Sequence, residues 1–139
     1  MTAPIPNAEL AYREVRGGMK PNAELAWRVI DHIDAHPEQW WQLQWISRSG
    51  GSDCRTAGCF AGWACMLSGD KPHWESTEAP EALLVDVDGG TETVGVRAAE
   101  LLGIAIDQKF ELFHEYNTRE DLGRLVAEIF GPRPVGSAS

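Results

Sequence analysis

The chain has 139 residues, is 43% hydrophobic and carries a formal charge of −9. That composition suits one domain with its own core, since domains of about 100 to 150 residues are the commonest size. Residues 1 to 70 hold 8 acidic and 6 basic side chains and residues 71 to 139 hold 13 and 6, so the acidity belongs to the C-terminal half. No window has the clustered basic face that phosphate contacts need, so direct nucleic-acid binding is not expected. The longest apolar run falls well short of the about 18 residues of a bilayer-spanning helix.

The opening residues Met1 to Asn7 lack a basic stretch leading into an apolar one, and the three cysteines are an odd number that no full disulfide framework can use. A protein of the reducing cytoplasm, off the membrane, is the expectation. ProAsnAlaGluLeuAla occurs at Pro6 to Ala11 and again at Pro21 to Ala26. The first copy reads either as a leader, residues 1–20, dispensable for folding, or as a genuine first helix.

From Asn22 a helix is well signalled: Asn as cap, Glu24 in the first turn, and Leu25, Val29, Ile30 and Ile33 at helical spacing. It should stop near His36, because Pro37 disfavours helical geometry in the residue before it. Trp40, Trp41 and Trp45 follow, and helical spacing would put Trp41 and Trp45 on one face. Residues 47–53 read as a loop. The eleven residues Ala57 to Leu67 then carry no charged, amide or hydroxyl side chain, which predicts a central buried helix at about 54–68. One of its faces is small (Gly58, Ala61, Gly62, Cys65) and suits close backbone packing.

Residues 71–80 read as loop. LeuLeuValAspVal before AspGlyGly and ThrGluThrVal after it predict a small β-hairpin at about 83–94 turning at Asp88 and Gly89. Helices are expected over 94–102, 107–116 and 118–130, the last with Thr118 as cap and Leu122, Leu125, Val126, Ile129 and Phe130 as its buried stripe. The expected fold is therefore mainly α: a compact helical domain at 21–131 around a central helix, with a minor hairpin and a loose tail at 132–139.

Cys54, Cys59, His32, His36 and His73 are the candidate ligands for zinc, the one cofactor that the residue types suggest. Their spacing does not favour it. On one continuous helix Cys59 lies about 140° round from Cys54, and Cys65 sits about 16 Å further along than Cys54, so at most two thiolates reach one ion. Cys54 alone could be a nucleophile at a helix N-terminus, and AspCys there resembles the opening of the NlpC-type cysteine peptidases, but His73 and His114 fall in a loop and a predicted helix where that family presents a strand. Asp86, Asp88 and Glu92 hint at a calcium loop, yet Gly90 stands where an oxygen ligand is wanted and a hairpin turn explains them better. No phosphate-cradling glycine loop, GxSxG elbow or HExxH is present.

Six tryptophans are many for this length. Trp27, Trp41 and Trp63 suit the core, whereas Trp40, Trp45 and Trp74 are harder to bury together. With Asp86 and Asp88, those three are the candidate binding residues, since aromatic anchors dominate recognition surfaces.

Three segments carry a resemblance: His32 to Trp40; Cys54, Thr56, Cys59, Ala61, Gly62, Trp63 and Ala64; and Ala98 to Ile104 with the closing Thr118 to Leu122. Together they resemble a group of small uncharacterised proteins of actinobacteria and their phages that share a CxTxxCxAGWA segment. The group implies a setting and no catalytic residues: accessory phage proteins that bind a host protein or sequester a small molecule. The leading expectation is a small acidic phage-type protein acting without catalysis on a host or phage protein with a basic surface. The alternatives are sequestration of a small-molecule or nucleotide signal beside the small face of the central helix, and an enzyme using zinc or a cysteine nucleophile.

Overall fold

The computed structural model describes residues 21–48 and 56–134. The repeated leader, Cys54 and the last five residues lie outside them. The first helix, α1 (Ala23–Ala35), begins where Asn22 accepts the Leu25 amide at 3.1 Å and ends at His36, as the local signals predict. It buries Leu25, Ala26, Val29, Ile30 and Ile33. A single 3-10 turn, Pro37–Gln39, carries the chain away from it.

The fold is mixed α/β, which corrects the expectation of a mainly helical domain. Two three-stranded antiparallel sheets stand beside the helices. In the first, β1 (Ile46–Arg48) lies between β2 (Thr56–Gly58) and β4 (Glu81–Ala82), with Ile46 opposite both Gly58 and Ala82. In the second, β5 (Leu84–Val87) lies between β3 (Lys71–His73) and β6 (Gly90–Thr93). The β5–β6 hairpin turns at Asp88 and Gly89, with Val87 opposite Gly90. Gly89 adopts φ 86°, a conformation open to glycine at little cost. Pro72 is tolerated in β3 because that strand is an edge, where a missing amide costs no ladder bond.

The central helix is real but shorter than expected. The apolar run from Ala57 divides: Ala57 and Gly58 pair with β1, Cys59 is extended (φ −81°, ψ −176°), and only α2 (Phe60–Leu67) is helical. The reason is a close backbone approach. The Trp45 carbonyl sits in a notch between Gly58 and Gly62 and accepts the Cys59 amide at 3.2 Å. A Cβ at Gly58 would lie 2.8 Å from that carbonyl oxygen, and one at Gly62 would overlap it outright and stand 2.9 Å from Ile46 Cγ1. Phe60, Ala61, Ala64 and Cys65 are wholly buried, so α2 is wrapped on its other sides by α1 and α3 (Val94–Leu102). The small face thus serves packing.

α3 is capped by Thr93 and ended by Gly103 at φ 70°. Arg97 on α3 grips Asp70, the residue before β3, through two nitrogens at 2.7 and 3.2 Å. α4 (Ile106–Leu112) stops four residues short of the predicted 116, and α5 (Arg119–Phe130) starts at the Thr118–Asp121 capping box. After α5 the chain returns to α1. Trp27 Nε1 donates to the Gly131 carbonyl at 3.1 Å, and Arg133 lies over the Trp27 ring and on Asp31 at 2.7 Å. Among the described residues no helix is long and apolar enough to cross a membrane.

Candidate functional site

The segment from Trp40 to Trp45, where helical spacing would put Trp41 and Trp45 on one face, is a turn held from within by Gln42. Its amide oxygen accepts from Trp40 Nε1 (2.9 Å) and from the Phe60 amide (3.1 Å), and its nitrogen donates to the His114 carbonyl at 3.0 Å. With Gln42 turned inward, its neighbours Trp41 and Leu43 face outward, 48% and 53% exposed. Trp41, expected in the core, is thus on the surface. The amide of Trp45 donates to the Glu81 carboxylate at 2.9 Å. Its ring stands edge-on to Phe113, with centroids 6.4 Å apart, and lies against Gly95, where a Cβ would come 3.2 Å from Cη2.

Around that ring five stretches of chain leave an open cleft of about 660 Å³. The Gln42–Trp45 turn and Leu83 form one part of its wall; Val94, Gly95 and Val96 at the start of α3 form the next. Lys109, Phe110 and Phe113, with the His114–Tyr116 turn after α4, close the far side. Seven large apolar side chains are exposed among the described residues, and five of them line this one cleft: Leu43, Leu83, Val96, Phe110 and Tyr116. Singly exposed apolar residues are ordinary; here they gather around an aromatic floor.

Cys59 also lines the cleft and is 2% exposed. It stands immediately before α2, where the amides of Gly62 and Ala61 pull its pKa down. Burial outweighs them and pushes the thiol up from 9.0 to about 11. A thiol raised in this direction by burial stays protonated at pH 7, the reverse of what a nucleophile needs. Cys65, under α3, is also raised, by desolvation first and by Asp70 second. In a Cys54→Ser background the two remaining thiols are therefore expected to react with iodoacetamide more than about tenfold slower than a free thiol. A free-thiol rate would reopen the nucleophile reading.

Of the candidate ligands for zinc, His32 and His36 are neighbours and His73 stands apart from them on another element. The His32 ring lies 4.1 Å from Trp63 and 4.8 Å from His36, and its Nε2 is 2.9 Å from Gln39 Oε1. His73 is on the second sheet, 2.9 Å from Asp86. Among the described residues no group of three His, Cys, Asp or Glu could hold a metal ion, and Cys54 lies outside them.

Of the five candidate binding residues, Trp45 alone lines this cleft. Trp40 is tied to Gln42, and Trp74 lies under the Arg48 guanidinium at 4.0 Å. Arg48 in turn donates to the carbonyls of Ala79, Ser76 and Thr77, which pins the 74–80 loop. Asp86 pairs with His73, and Asp88 sits in the hairpin turn. Sequence reasoning missed Leu43, Leu83, Phe110 and Tyr116, because a single apolar residue in a loop or on a helix shows no periodicity to mark it. No family model, curated protein or solved structure matches the chain.

Proposed function

We propose that this chain is a non-catalytic binding protein and that the apolar cleft over Trp45 is its recognition surface. The observation that carries this reading is the gathering of five exposed apolar side chains around one cleft. Anchors of this kind exclude water over a small area and supply most of the free energy of a contact. The buried, high-pKa thiol lining the cleft supports binding over nucleophilic chemistry. The resemblance of the Cys54 to Ala64 segment supports a phage accessory setting, with a host or phage protein in the host cytoplasm as the target.

The test uses two exposed residues that no buried contact requires. Leu83→Asp and Phe110→Asp are expected to change stability by less than about 0.5 kcal/mol, as surface substitutions do. In capture from host lysate, a protein retained by the natural chain should be lost by both variants. Retention by both, with unchanged melting curves, would remove the cleft from the binding surface.

A second reading is favoured by the size of the cleft, since about 660 Å³ falls within the range of small-molecule sites, about 300 to 1,000 Å³. A sequestered apolar or aromatic metabolite should then appear in the native mass spectrum of the gently purified protein. A spectrum with only the bare chain mass, from cells in which the protein is active, would sink this version.

A further inference from the structure

Resting on the reading of the cleft as a recognition surface, we infer that in the free protein its occupant is a second copy of this chain, laid cleft to cleft about a two-fold axis. A target seated there has to displace that copy.

The first support is area. Phe110 and Tyr116 are 65% and 73% exposed, and Leu43 and Leu83 are each 53% exposed. With Val96 they leave on the order of 500 Å² of apolar surface uncovered, given that a large aromatic side chain buries about 150 to 250 Å². A standard contact covers about 800 Å² of each copy and is about 65% apolar in homodimers, so it needs roughly 500 Å² of this kind.

The second support is charge. The cleft is lined by one cation, Lys109, and one anion, Glu115, which cancel on a chain whose formal charge is −9. Among the described residues neither of them is in an ion pair. Lys109 instead lies 5.6 Å from the centroid of the Phe110 ring. Such a surface is complementary to itself, because a two-fold axis that brings Lys109 of one copy to Glu115 of the other makes the reciprocal pair at the same time. A patch of one sign would repel its own copy, and a partner of one sign would leave either Lys109 or Glu115 facing a like charge. The rest of the chain's charge opposes the approach from a distance, where salt screens it. The dimer should therefore tighten as salt is raised, the reverse of a contact between oppositely charged proteins.

Sedimentation velocity on the full chain tests this. At about 200 µM protein and about 0.15 M salt more than half of the chain is expected to be dimeric, and the dimer should weaken severalfold in about 0.02 M salt. Leu83→Asp and Phe110→Asp should each raise the dissociation constant at least about tenfold, with melting curves unchanged. Lys109→Glu and Glu115→Lys test the two-fold axis. Each alone should dimerise more weakly than the natural chain, because like charges then face one another, and the two mixed should form a heterodimer at least about tenfold tighter than either homodimer. With one of them isotope-labelled, a native mass spectrum of the mixture separates the three species. A chain that stays monomeric at about 200 µM would overturn the inference, and if its captured host protein is still lost in Leu83→Asp the cleft reading stands. A dimer that survives both Leu83→Asp and Phe110→Asp, or charge variants that gain nothing from mixing, would overturn it too. A dimer lost in both apolar variants while capture from lysate persists would uphold the inference and remove the target from the cleft.

Discussion

Gly62→Ala should destabilise the protein by about 3 kcal/mol or more, at the upper end of what overpacking a well-filled core costs. The sign discriminates between two physical accounts. Gly62 is inside α2, and helix propensity alone would make alanine the better residue by about 1 kcal/mol. Against that gain stands the Trp45 carbonyl oxygen, which occupies the space that the new Cβ would need, with Ile46 Cγ1 2.9 Å away on the other side. Neither neighbour is the free end of a flexible side chain. One is backbone held by the Cys59 amide, and the other belongs to a wholly buried residue of β1. Urea unfolding of the variant measures the outcome. A variant as stable as the natural chain, or more stable, would mean that α2 and the entry to β1 do not approach as described.

Gln42→Leu should cost about 3 kcal/mol, although leucine fills nearly the same volume. The glutamine is 7% exposed and satisfies three groups at once: Trp40 Nε1, the Phe60 amide and the His114 carbonyl. Each buried polar group left without a partner costs about 1 to 3 kcal/mol, and partial rescue by water keeps the sum below the maximum. The same substitution frees the turn after α4 from the floor of the cleft. Amide exchange should therefore quicken at Phe60 and at Tyr116 before it quickens in α1. A loss under about 0.5 kcal/mol, with exchange unchanged, would show that Gln42 is a bystander.

Together the two substitutions test one arrangement. The glycine notch lets β1 run against α2, and Gln42 joins that contact to the α4–α5 turn. Trp45 is thereby held as a rigid floor, while Leu43, Leu83, Phe110 and Tyr116 remain outside it as anchors. A binding surface built on fixed backbone contacts loses little conformational entropy on association.

The local sequence by itself determined where α1, α3 and α5 begin and end and where the hairpin turns. Asn22, Thr93, Thr118 and Gly103 act on amides or carbonyls three or four residues away, and the Asp88–Gly89 turn needs no partner outside its own strands. Tertiary structure decided the rest. Strands of two or three residues are too short to show alternation, and their ladder partners lie far off in the chain, as Ile46 does from Ala82. The apolar run from Ala57 to Leu67 suits a buried strand as well as a buried helix, and the carbonyl of Trp45, seventeen positions before Gly62, divides it between them. The cleft lies furthest from what local signals can mark, because its lining comes from five separate stretches of chain and its anchors are single residues whose exposure only their neighbours' packing sets.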